Sequence, residues 1–203
     1  MNEVAAILLA AGRSRRMGAF KPLLPFGKQT VIRSCIAQLR AAGIEEIVVV
    51  AGHRADELRA DLLTENVTFA INPDPDSEMS VSIACGIEAL SEHAKAILIA
   101  LVDHPAIPSK TIMAIVDKWN RGTRLVQPEH NGRGGHPVLI DLGYRDDLLD
   151  LDPQRGLRGF FESHRGVTHR LPVDSPYIAR DMDTWEDYLA LHQEVFGAAP
   201  AGK

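Results

Sequence analysis

The sequence predicts an α/β domain on a mainly parallel sheet, and three observations predict it. Apolar strand-like runs alternate with helix-patterned segments along the whole chain, the order of a βαβ series. The runs are continuously apolar, as in Ile97-Leu98-Ile99-Ala100-Leu101-Val102, which implies burial on both faces of the sheet. The 203 residues suffice for one such domain with a full core, and not for two.

The first strand, Val4–Ala10, has a signal-like core, but acidic Glu3 precedes it and basic residues follow it, the reverse of a secretory leader. Helix Thr30–Ala42, strand Glu46–Ala51 and helix Ala55–Leu63 follow, then strand Val67–Asn72 and helix Ser80–Leu90. Strand Ala96–Val102 and helix Ser109–Asn120 continue the series, and the last strands are Arg124–Pro128 and Pro137–Ile140. Between those two, Glu129–Gly135 holds three Gly and an Asn and reads as a lid or hairpin. Helices Leu157–His164 and Thr184–Val195 close a single domain over 1–196, with Gly197–Lys203 expected as a frayed tail. Each helix repeats apolar residues at three- and four-residue spacing, which places Cys35, Cys85, Met113 and Trp119 in the core.

Composition narrows the function classes. Hydrophobic residues make up 45% and charged residues 24%, ordinary globular usage without a membrane-length stretch or a disulfide framework. A cytoplasmic protein with no membrane or nucleic-acid partner is the expectation. Net charge is −5, yet Val4 to Ile44 carry seven Lys or Arg and no acid, while acids crowd the C-terminal third. That asymmetry implies an anionic ligand near the N-terminus, although Arg33 and Arg40 read as the coat of a helix face.

In a parallel sheet the ligand crevice lies beyond the carboxyl ends of the strands, so Gly12–Lys21 and Asp103-His104-Pro105 are the first suspects. The stretch Leu9-Ala10-Ala11-Gly12-Arg13-Ser14-Arg15-Arg16-Met17-Gly18-Ala19-Phe20-Lys21 is a strand end, a glycine-bracketed basic loop and a lysine. Glycines let backbone N–H groups face an anion, and Arg and Lys neutralise it. Its spacing is neither G-x-x-x-x-G-K-[ST] nor G-x-G-x-x-G, so neither a P-loop ATPase nor a dinucleotide dehydrogenase is indicated. Asp103 leaves a buried strand at the crevice edge as a hard oxygen ligand, with turn capping as its alternative. His53 and His104 lack a second ligand at metal spacing.

The loop, continued through Leu23-Leu24-Pro25, resembles the L-A-[AG]-G-x-S-x-R-M-G-x-x-K-x-L-L signature of the molybdopterin nucleotidyltransferase-like family. Further matches follow in the family's order: Glu78-Met79-Ser80-Val81-Ser82-Ile83, Asp103-His104-Pro105, Gly134-Gly135-His136-Pro137-Val138-Leu139 and Asp181-Met182-Asp183-Thr184. The resemblance implies a three-layer, Rossmann-like nucleotide-diphospho-sugar transferase fold, with nucleotide over the N-terminal loop and Mg²⁺ on Asp103 and Asp181, Asp183 serving as a further ligand or as a helix cap. It implies a nucleotidyltransferase moving CMP from CTP to molybdopterin, because Ala10-Ala11-Gly12 resembles the cytidylyltransferase form of the motif. The alternatives are a guanylyltransferase using GTP, a transferase for a sugar phosphate, and a nucleotide-binding regulator or cofactor-delivery chaperone. A molybdoenzyme or its chaperone would be the protein partner.

The expected catalytic residues are Lys21, Asp103 and Arg16, with Lys21 as a solvent-facing loop lysine set against the α-phosphate and the departing pyrophosphate. Leu9, Ala10, Ala11, Gly12, Arg13, Ser14 and Gly18 are expected to cradle the nucleotide. Ser14 either bonds a phosphate or closes the turn, and Arg15 either joins it or points to water. Ser80 and Ser82 match nucleotide-side positions, with Ser80 also fit for a helix N-cap, and His136 borders the acceptor or bonds backbone. Glu78, where a glycine is usual, and Asp152–Arg158 depart from the family pattern on the presumed acceptor side.

Overall fold

The computed structural model describes residues 3–14, 16–74 and 76–200. β1 (Val4–Ala10) leads through the basic loop into a single 3-10 turn at Lys21–Leu23 and a small antiparallel hairpin, β2 (Pro25–Phe26) and β3 (Gln29–Thr30). Then come α1 (Val31–Ala41), β4 (Ile47–Ala51), α2 (Ala55–Asp61), β5 (Thr68–Ile71), α3 (Met79–Glu88), β6 (Ala96–Leu101) and α4 (Ser109–Asn120). The second part holds β7 (Leu125–His130), β8 (Arg133–Gly134), β9 (Val138–Asp141), α5 (Arg145–Leu149), α6 (Gly156–Ser163), β10 (Thr168–Pro172) and α7 (Trp185–Phe196).

The main sheet runs β10-β7-β9-β6-β1-β4-β5, with β8 paired to β7. β5, β4, β1 and β6 are parallel neighbours, β9 is antiparallel to both β6 and β7, and β10 is parallel to β7. The chain winds outward from β1 through β4 to β5 and returns on the other side at β6. The order therefore reverses between β1 and β6, where an α/β sheet opens its ligand crevice.

Each central strand feeds two cores. Val4, Ala6, Leu8 and Ala10 pack with α1, α2, α4 and α7, whereas Ile7 and Leu9 pack with α3, α5 and α6. This is why β1 reads as an unbroken apolar run: alternation is present, but both faces are covered. α3 lies close on the sheet because a Cβ at Gly86 would stand 2.6 Å from Ile7 Cγ2.

Several expectations change. Thr30 and Thr184 are N-caps rather than helical residues, accepting from Arg33 N–H and Asp187 N–H, and Thr184 with Asp187 closes a full capping box. Glu129–Gly135 is a hairpin, since β7 and β8 pair through it. The edge strand β10 and the five-residue α5 are additions to the sequence reading. Met113, expected in the core, is 43% exposed, and Trp119 is half-buried with its indole N–H donated to Asp141. Gly197 ends α7 in the left-handed conformation, and His192 Nδ1 donates to the Ala198 carbonyl, so the first part of the expected tail is held. Arg15 lies outside the described residues.

Candidate active site

The loop after β1 folds on itself. Ser14 adopts φ 51°, and its carbonyl accepts from the N–H groups of Met17 and Gly18, both at 3.2 Å. Its hydroxyl oxygen accepts from the Lys21 N–H at 3.3 Å, so Ser14 closes the turn. Gly18 takes φ 68°, a left-handed conformation that suits glycine. Gly12 differs, because a Cβ there would meet nothing within 4 Å. Neither conformation nor packing requires glycine at that position, which leaves an open cradle over the strand end. Across the crevice, the Ala11 carbonyl lies 2.8 Å from where a Cβ at Gly52 would stand, so the loop is pressed onto the end of β4.

Lys21 is only 8% exposed, which corrects its reading as a solvent-facing lysine. Its ammonium lies 2.6 Å from Asp183 Oδ1 and 4.0 Å from Asp103 Oδ2. Arg16 reaches the other oxygen of Asp183 at 2.5 Å, and Arg13 pairs with Asp76 at 3.1 Å. Asp181, expected as the main partner of Asp103, is exposed and stands beside Asp183, which is the carboxylate against the lysine. Thr184, not Asp183, caps α7, and Asp183 is thereby left to the crevice.

The two principal carboxyls are shifted in opposite directions. Burial raises the pKa of Asp103; His104 and Lys21 counter it, while Asp183 and Asp181 add to it. For Asp183 burial also opposes charge, but the hydrogen bond and charge of Lys21, aided by Arg16, hold its pKa below the ordinary value. Asp103 Oδ1 is fully buried without a hydrogen bond, 3.6 Å from His104 Nε2. A buried, unsatisfied carboxylate oxygen beside two further acids is a donor set suited to a hard cation. Among the described residues no cluster of three or more His, Cys, Asp or Glu is arranged as a ready metal cage.

A cavity of about 250 Å³ opens at the reversal between β1 and β6. Leu9, Ala11, Gly12, Ser14, Lys21 and Asp103 line it, as the sequence indicated, and so does Ser82. Ala10 points instead into the core, and Ser80 sits half-buried in the first turn of α3, off the wall; Glu78 is the N-cap there. The far wall was not foreseen. Asn72, at the end of β5, donates to Ser77 Oγ and Ser82 Oγ, both at 2.8 Å, and its own oxygen accepts from the Asp74 N–H. Asn72, Asp74 and Ser77 therefore form a polar ledge facing the basic loop. The signal was available, because Asn72-Pro73-Asp74 follows a parallel strand just as Asp103 does.

A second cavity, of about 680 Å³, lies between α6 and the β7, β9 and β10 strands. His136 borders it, with Gln127, Val138, Phe161, Arg158 and Arg170. The His136 ring meets that of His104 edge-on at 5.9 Å, so an imidazole pair bridges from Asp103 toward this second space.

Known proteins carry the same plan. Residues 6–168 match the MobA-like NTP transferase domain. The chain is 26% identical to the molybdenum cofactor cytidylyltransferase of Escherichia coli K12, over 93% of this chain and 95% of that protein. It is 27% identical to the nicotine blue oxidoreductase of Paenarthrobacter nicotinovorans, over 93% and 96% of the two chains. A nucleotidyl transferase from Methanothermobacter superposes with a TM-score of 0.82 at 26% identity, covering 96% of this chain and 98% of that one. With a domain match spanning the basic loop, Asp103 and the hairpin, the chain belongs to the MobA-like NTP transferase family.

Proposed function

We propose that this nucleotidyltransferase moves CMP from CTP to the phosphate of molybdopterin and releases pyrophosphate, with residues 1–196 acting as one transferase domain. The observation that carries the reading is the meeting of buried Lys21 with Asp103 and Asp183 at the mouth of the loop-bounded cavity. An open backbone cradle at Gly12, a buried cation and two carboxylates are what a triphosphate and its metal require.

The triphosphate runs along Gly12–Lys21, with Arg13 and Arg16 beside it. Lys21 offsets charge that develops between the α-phosphate and the leaving pyrophosphate. Its short reach is fixed twice, by the Ser14 turn at its backbone and by Asp183 at its ammonium. Asp103 and Asp183, with Asp181 at the rim, would hold Mg²⁺, a hard cation that takes carboxylate oxygens at nucleotide sites. When bound, the ion adds electrostatic stabilisation to the transferring phosphoryl group. The acceptor phosphate has its second ionisation near pH ~6, so it attacks as a dianion and needs no general base. Its body lies toward the second cavity, past His136.

The E. coli relative supports the cytidylyl assignment, and Ala10-Ala11-Gly12 supports a pyrimidine nucleotide. Pyrophosphate release measured with each NTP against molybdopterin and sugar phosphates tests it. CTP with molybdopterin is the expected pair, and equal or better use of GTP moves the enzyme to guanylyl transfer. The equal similarity to nicotine blue oxidoreductase supplies a second reading, and an arm with nicotine blue and a panel of reductants tests it.

A further inference from the structure

The second cavity contains a histidine whose hydrogen-bonding sense is set by its surroundings. His136 Nδ1 lies 3.3 Å from the Ile99 carbonyl, which can only accept, so Nδ1 carries the ring proton. The backbone leaves the ring little freedom. His136 N–H donates to the Ile178 carbonyl at 2.8 Å, and a Cβ on the preceding Gly135 would stand only 2.0 Å from that same oxygen. The imidazole is thus pinned between β6 and the Pro176–Ala179 turn. Burial, and the neighbouring His104, push its pKa down to about 4, so the ring is neutral at physiological pH. In that tautomer Nε2 is a bare lone pair. It makes no hydrogen bond among the described residues and keeps some solvent access, and the residue lines the second cavity.

The surrounding wall has a definite character. Phe161 and Val138 supply apolar surface, Gln127 supplies an amide whose side chain packs over Gly134, and Arg158 and Arg170 stand at the rim. Glu162 pairs with Arg158 and Glu129 with Arg170, so the rim cations are held in place rather than loose.

We propose that His136 is the acceptor-specificity residue, its Nε2 accepting a hydrogen bond from a ring N–H of a flat heterocycle seated in the second cavity. An acceptor lacking a donor there would leave the lone pair unsatisfied in a confined site, and sites built to pair with a donor reject its absence strongly. A third rim cation, Arg165, has no carboxylate partner among the described residues and is left to meet an anionic arm on the heterocycle. This deepens the molybdopterin reading and rests on it for the identity of the natural acceptor, but the hydrogen-bond sense at His136 can be tested without turnover.

The probe is pterin-6-carboxylate, a fluorescent flat heterocycle with ring N–H groups and one anionic arm, titrated against the full chain. Saturable quenching is expected for the native protein. His136→Phe, which keeps the ring shape and removes the acceptor, should weaken the probe roughly tenfold or more. His136→Gln, whose amide can donate to Ile99 and still accept with its oxygen, should recover most of that loss. CTP affinity, measured calorimetrically, should stay within about twofold for both variants, and their melting temperatures report that the fold is intact. Absence of probe binding to the native protein, unchanged binding by folded His136→Phe, or an equal loss of CTP affinity would each overturn the proposal. Failure of molybdopterin turnover alongside the expected probe results would overturn the acceptor assignment and leave the role of His136 standing.

Discussion

The two cavities are built in different ways. The basic-loop cavity draws Leu9, Ala11, Gly12, Ser14, Lys21 and Pro22 from one short segment hung from the central strand, and is closed by residues from the ends of β5 and β6 and the start of α3. The second cavity draws scattered residues from β7, β9, α6 and β10, and its longest run is Gly134-Gly135-His136. A site that must bind a triphosphate can be written as a compact string of glycines and cations, because phosphate is recognised by backbone and charge. A site that selects one organic acceptor needs shape and individually placed polar atoms, which only the tertiary fold supplies.

If that contrast holds, substitutions on the nucleotide side act on chemistry first. The largest expected effect is Lys21→Ala, which should lower turnover by about 10²–10³-fold or more while the variant remains folded. Because Lys21 is buried and paired with Asp183, a modest fall in melting temperature accompanies it. Near-native pyrophosphate release from the folded variant would break the comparison.

Next comes a pair of carboxylates that should part company in stability. Asp183 has a depressed pKa, so its charged form stabilises the fold above the ordinary carboxylate range, and that contribution is lost as pH falls through its folded pKa. Asp103 has a raised pKa, so its contribution is present at low pH and lost as pH rises through the folded pKa. At pH 7, Asp103→Asn should therefore melt no lower than the native protein, and Asp183→Asn should melt lower. Both should lose turnover, and both should weaken magnesium binding. An Asp103→Asn variant that keeps its turnover and magnesium dependence would remove that residue from the site.

The smallest effect sharpens the contrast without touching a charge. Gly52→Ala sets a Cβ against the Ala11 carbonyl, a backbone atom that cannot rotate away. The strain should cost about 1–3 kcal/mol and raise KM for the nucleotide more than KM for the acceptor. Steady-state kinetics with each substrate varied in turn give the ratio.

Legibility follows the same divide. β1 and α4 have the bounds expected from apolar pattern alone, because continuous burial and three-to-four periodicity leave little choice. β10 escaped notice because Thr168, His169, Arg170 and Pro172 make an edge strand with a single buried residue, Leu171, and no apolar run. α5 is too short to show a period and buries only Leu148. In the site, Lys21 was readable from the glycine-bracketed basic loop and Asp103 from its place at a strand end. Asp183 was ranked below Asp181 because sequence alone does not tell which acid of D-x-D turns inward, a matter fixed by the buried Met182 between them and by Thr184 taking the cap. Asn72 was absorbed into its strand, although its place at a parallel strand's carboxyl end marked it equally well.

The full enclosure of β1 has a dynamic consequence. All seven of its residues are buried, with β4 bonded along one edge and β6 along the other, so its amides should exchange with solvent only when the whole domain opens. The basic loop hangs from the last part of the molecule to let go. The second cavity leans on the edge strand β10 and the two-residue β8, elements free to open locally at far smaller cost. Under mild denaturant or gentle heating the second cavity should lose its ligand before the basic-loop cavity does, and a nucleotide held by a protein already indifferent to the heterocyclic probe would be the mark of that intermediate regime.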